Sequence, residues 1–177
     1  MTLPDLDQPL AYPHDTSDHP GGGHCLDLTA YGDAERWRQI LDQQFLAFAQ
    51  LVERARTPSE ASNAGYEVTR PLLFLAHHVC EVAIKVGLAT HHAEPRHREH
   101  SLPTLWTRLE GARGTDRLSR FEESWCERFV VQMHAIKPRG FDGRYADETT
   151  AEEAWCCLHL DQLEACVTVF ASLMVKS

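Results

Sequence analysis

Apolar residues recur along this chain at spacings of three and four, and five stretches carry the pattern far enough to predict helices. The strongest is Arg70 to Leu88. At about 100° per residue it sets Leu72, Leu75, Ala76, Val79, Val82, Ala83 and Val86 on one broad face. Its polar residues Arg70, His77, His78, Glu81 and Lys85 gather within an arc of roughly 100°. Such a helix is either the centre of a bundle with a single wet side or the wall of a site. Glu81 and Lys85 also stand at i,i+4 in the favourable order.

The first helix is predicted from Asp33, a good N-cap, to Arg56, with Trp37, Ile40, Leu41, Phe45, Phe48, Leu51, Val52 and Ala55 inward and Pro58 beyond its end. Thr57 to Gly65 is rich in helix breakers and reads as a connection to the Arg70–Leu88 helix. A solvated loop follows over Ala89 to His100. Ser101 then caps a short helix presenting Leu102, Leu105, Trp106 and Leu109, which Gly111 is expected to stop.

The fourth helix spans Asp116 to Lys137, with Leu118, Phe121, Trp125, Phe129, Met133 and Ile136 as its inward stripe and Pro138 as terminator. Thr150 and Glu153 form a capping box for the fifth, which buries Trp155, Leu158, Ala165, Cys166, Val169, Phe170 and Leu173. Residues 1–30 have four prolines, three consecutive glycines and no periodicity, and read as a flexible tail. The expected fold is all-α, an up-and-down bundle of about five helices over residues 31–177.

Composition narrows the function classes. A net charge of −9 argues against broad duplex DNA binding, which needs Lys and Arg against phosphates. Fourteen of the 17 basic residues are Arg, suited to bidentate contacts with phosphate or carboxylate. Six cysteines without a CxxC pair read as reduced thiols of a cytoplasmic protein. The acidic N-terminus is unlike a signal peptide, and no membrane association is expected.

Chemistry-bearing clusters are few. His91, His92, His97 and His100 crowd one loop with Glu94 and Glu99, but their spacing matches no structural zinc pattern. A ligand set drawn from His77 or His78, His134 and His159 on separate helices is a second metal reading, and the spaced His14, His19 and His24 of the tail a third. No metal is assigned to any of them. There is no GxSxG, no phosphate-binding glycine loop and no cofactor motif, so no cofactor is expected.

The run FLAHHVCEVAIKVGL, a polar loop, and His100-Ser101-Leu102 resemble the central helices of the HEPN domain, a nucleotide-binding module named for higher eukaryotes and prokaryotes. There a helix with Glu and Lys four apart leads through a loop to a His-containing helix start. Asp142-Gly143-Arg144-Tyr145 is similar to an Asp...Arg-Tyr loop found before the last helix in some branches. The resemblance covers about residues 66 to 170.

It implies a helical bundle, commonly a homodimer, that binds RNA or a nucleotide-bearing partner. In many members it also implies metal-independent ribonuclease activity from an Arg and a His separated by four to six residues. Arg128 with His134 fits that spacing, and so does Arg70 with His77. The first pair is preferred because Arg139, Arg144 and Tyr145, candidates for phosphate contact, follow it. In those roles His134 would take the proton of a ribose 2′-hydroxyl and Arg128 would stabilise phosphorane charge. Phe129 stands where the family usually has a polar residue. Arg70, His77, Glu81 and Lys85 form the secondary set. The alternatives are a catalytically inert bundle that engages a protein partner and, third, a metal-dependent helical enzyme.

Overall fold

The computed structural model describes residues 34–57, 64–94, 98–114, 118–136 and 159–175. Among them the chain is an all-α bundle of five helices with no strand: α1 (Ala34–Arg56), α2 (Ala64–Thr90), α3 (Leu102–Arg113), α4 (Arg120–Ala135) and α5 (Leu160–Val175). α2 is the central element and packs against α1, α3 and α5, while α4 lies on α3. All ten residues from Val79 to Leu88 are buried. That is why α2 is long and apolar enough to cross a membrane by composition, yet has 78% of its apolar window inside the protein.

Local signals set several helix ends. Ser101 caps α3 by accepting from the Thr104 backbone N–H, with Pro103 in the first turn where its missing N–H is tolerated. Ser119 and Glu122 form a reciprocal capping box on α4, each side chain accepting from the other's backbone N–H at 3.3 and 2.8 Å. At the end of α1, Arg56 donates to Glu53 and reaches Asp161 and Glu164 on the first turns of α5 at 2.6 Å. Those carboxylates raise the guanidinium pKa further.

The α1 stripe lies inward as its spacing predicts, with Trp37, Leu41, Phe48 and Val52 buried. Other expectations need correction. α2 begins six residues before Arg70 and carries Pro71 in its interior, because deep burial of the apolar face around it outweighs one missing backbone hydrogen bond. α3 runs through Gly111 and ends at Gly114, whose φ of 57° is the conformation that favours glycine. Buried Leu109 and Arg113, one turn apart, carry the helix past Gly111.

In α4 the inward face is Cys126, Phe129, Val130 and Met133, an i, i+3, i+4, i+7 set. Of the predicted stripe, Phe129 and Met133 are buried and Leu118 and Trp125 pack against the core, whereas Phe121 is 76% exposed and Ile136 is also exposed. Phe129 fixes the rotation by packing its ring 5.2 Å from Phe170, which in turn lies 6.2 Å from Trp106. α5 likewise buries Leu163, Val167, Phe170, Ala171 and Met174, leaving Ala165 and Val169 outside. The tail over residues 1–30, the Thr150–Glu153 capping box, Trp155 and Leu158 lie outside the described residues.

Phe170 joins α3, α4 and α5 through these rings. Phe170→Ala is expected to lower unfolding stability by about 3–5 kcal/mol, whereas Phe121→Ala on the exposed face should change it by less than about 0.5 kcal/mol; urea denaturation of both variants measures the contrast.

Candidate functional site

A helix buried at ten successive positions has to bury its polar strip as well. Glu81 and Lys85, one turn apart on α2, are both almost wholly enclosed, and Lys85 Nζ donates to Glu81 Oε1 at 2.7 Å. Trp37 of α1 covers the ammonium, whose nitrogen lies 5.6 Å from the ring centroid, a cation–π distance. The strip is therefore neither a wet side nor an open wall over this length: it is an internal ion pair.

One residue from another element reaches the pair. His100, just before the α3 N-cap, places Nδ1 3.1 and 3.2 Å from the two oxygens of Glu81. Its side chain is 63% exposed while the Glu81 side chain is 5% exposed, so the imidazole bridges the interior and the solvent. The turn that aims it is fixed by Glu99, whose Oε1 accepts from the backbone N–H groups of His100 and Ser101 at 3.0 and 2.8 Å. At the other end of the connection, α2 closes through Ala93 N–H donating to the Leu88 carbonyl at 2.8 Å, with His92 at φ 55°.

His78, three residues before Glu81, is half-buried, and its ring stacks on Phe74 at 5.8 Å. Burial pushes its pKa below the ordinary imidazole value. Glu81 opposes that shift, and Lys85 and His100 add to it. A neutral His78 thus flanks a cluster in which one carboxylate serves an ammonium and an imidazole.

The primary pair from sequence is arranged differently. Arg128 is exposed on α4, its Nε donating to the Ser124 carbonyl one turn back at 3.3 Å. His134 is half-buried, with Nδ1 enclosed and without a hydrogen-bond partner among the described residues. Six helical positions turn the two side chains about 120° apart, so they do not share a face of their own helix. His134 instead lies against buried His77 of α2, ring centroids 6.4 Å apart. The two histidines of the two Arg...His spacings thus meet each other. Arg70 is exposed, on the same side of α2 as His77 but about 10 Å along the axis by helical rise.

Arg139, Arg144, Tyr145 and His97 lie outside the described residues. Among the described residues no group of three or more His, Cys, Asp or Glu is arranged to hold a metal. Nor does a thiol offer a nucleophile there: burial pushes Cys126 up to about 12 and raises Cys80 and Cys166 as well. Sequence reasoning missed the bond from His100 to Glu81. The available signal was that an ionisable pair amid apolar residues on every side of a helix needs partners from other elements. It also missed Arg113, a buried guanidinium 5.7 Å from the Trp106 ring and 3.6 Å from Met174 Sδ, with its pKa lowered chiefly by burial.

Two measurements follow from this geometry. Lys85→Met strands the Glu81 carboxylate in the interior and should cost about 3–5 kcal/mol, while pairing it with Glu81→Leu should recover most of that loss; a double-mutant cycle in urea reads both. For His78, the unfolded chain takes up a proton near 6.5 while the folded chain resists it until lower pH. Stability should therefore fall as pH drops below that value and level off beneath the folded-state pKa. His78→Gln should flatten this part of the profile, seen in urea midpoints between pH 8 and 5.

Comparison with protein-family models, with curated proteins and with solved structures finds no match.

Proposed function

We propose that this chain is a HEPN-like helical module that binds RNA or a nucleotide-bearing partner. The observation that supports the reading is convergence. Glu81, Lys85 and His100, which carry the resemblance in sequence, are up to 19 positions apart and share one hydrogen-bonded cluster. Helical spacing alone brings Glu81 and Lys85 together, but it gives no reason for His100, 19 positions beyond Glu81, to join them.

Arg128 is the exposed cation from which phosphate contact is expected, seven positions and so about one face from exposed Phe121 on α4. Because His134 turns away from Arg128, ribonuclease activity at this pair calls for the residues of two copies. The competing reading, an inert interaction subunit, draws on the same helix: Phe121, Val131 and Ile136 expose 76, 56 and 37% of their surface.

Single-stranded RNA cross-linked to the full chain in a chelating buffer distinguishes the two. The proposal expects a cross-linked complex that weakens at least about tenfold in Arg128→Ala and with added salt. Absence of any complex with RNA or nucleotides, at concentrations where the chain is folded, would reject it in favour of the interaction subunit.

A further inference from the structure

We propose that the outward face of α4 docks an amphipathic helix of a partner protein, one that carries a carboxylate between its apolar anchors, and that this helix and RNA exclude each other there. The docking rests on the geometry of α4 alone. The exclusion rests on the RNA reading, which gives Arg128 to phosphate.

The solvent side of a helix that packs along one stripe is expected to be polar. On α1 it is: exposed Leu46 stands among exposed Asp42, Gln43, Gln50 and Glu53. α4 departs from this. Its inward set, Cys126, Phe129, Val130 and Met133, takes one side, and by helical spacing Phe121, Ser124, Arg128, Val131 and Ala135 fall within an arc of about 80° on the other. All five are exposed, and Phe121 and Val131 each leave more than half of their surface in solvent. Arg128 is the one charged residue among them. Their spacing of i, i+3, i+7, i+10 and i+14 is a straight seam along which one helix receives another, about 20 Å long.

Arg128 decides what the partner must bring. Its Nε donates back to the Ser124 carbonyl at 3.3 Å, which holds the guanidinium on the seam and leaves its two terminal nitrogens to donate elsewhere. No carboxylate among the described residues forms an ion pair with it. An apolar partner would enclose that charge without a counter-ion, so the helix needs a carboxylate opposite Arg128, held by two N–H groups. The same requirement argues against a second copy of this chain. Arg128 is the middle position of the seam, and two seams meeting parallel, or antiparallel about their middle, would set Arg128 against Arg128.

The test uses the full chain and a fluorescent helical peptide of about 20 residues, with leucine at the seam positions and glutamate at the central one, beside the same peptide with lysine there. Anisotropy should show the glutamate peptide binding at least about tenfold tighter than the lysine peptide. Arg128→Glu should reverse that preference, and Phe121→Asp should weaken both peptides about tenfold, with the urea midpoints of both variants near wild type. At saturation the glutamate peptide should lower the yield of RNA cross-linking at least about tenfold. Peptides bound equally, or a preference that survives Arg128→Glu, would overturn the docking. So would a dimer of the chain that Phe121→Asp abolishes in sedimentation, or Phe121→Cys closed to maleimide in the chain alone, because a second copy or the rest of the chain would then cover the face. RNA cross-linked undiminished beside bound peptide would overturn the exclusion. No RNA complex at all would reject the RNA reading and the exclusion with it, while the docking stands or falls on the peptides.

Discussion

The packing of this bundle depends on how α2 places two opposite charges where water is excluded. An isolated ammonium or carboxylate in such a place would be far too unfavourable to keep ionised. Glu81 and Lys85 satisfy the constraint locally, because four helical positions bring their side chains together. The neighbours complete it. Trp37 from α1 lies over the ammonium, and His100 from the start of α3 reaches the carboxylate. One ion pair therefore helps to set the register of α1 and α3 against α2.

Much of the fold was legible from periodicity, and the errors fall on the face of α4 and on the ends of α2 and α3. α1 and α2 each carry a single dominant stripe, and both face the core as their spacing indicates. α4 carries two overlapping stripes. The predicted one joins Phe121, Trp125 and Ile136 to Phe129 and Met133, whereas Cys126, Phe129, Val130 and Met133 form the continuous i, i+3, i+4, i+7 set. A helix on the flank of a bundle buries only one side, so spacing decided and size did not. The ends of α2 and α3 were misjudged because Pro71 and Gly111 were read as boundaries. Propensities of this kind, worth about 1 kcal/mol for glycine and 3 for proline, yield to burial of the surrounding turns.

The site was less legible because spacing along a helix reports direction around its axis and not what stands opposite. Glu81 and Lys85 have the same spacing whether they lie on a surface or in a core; the apolar residues on every side of them carried the distinction. His100 belonged by composition to a solvated histidine-rich loop, and only the turn fixed by Glu99 shows why that imidazole points inward. The Arg...His spacing suffered from the same blindness. It counts residues, whereas the helix separates Arg128 and His134 by a third of a turn and pairs His134 with His77.

Whether the cluster is only a packing device turns on His100. Lys85 alone already offsets the charge of Glu81, whose side chain is 5% exposed, while the imidazole that reaches it is 63% exposed. A solvent-exposed contact of this kind adds at most about 1 kcal/mol, a small return for the histidine that the Glu99 turn holds in place. The core thus needs the glutamate and the lysine far more than it needs the histidine. What the arrangement gives His100 is a fixed place on a buried carboxylate with most of its ring left in solvent, which packing alone does not call for.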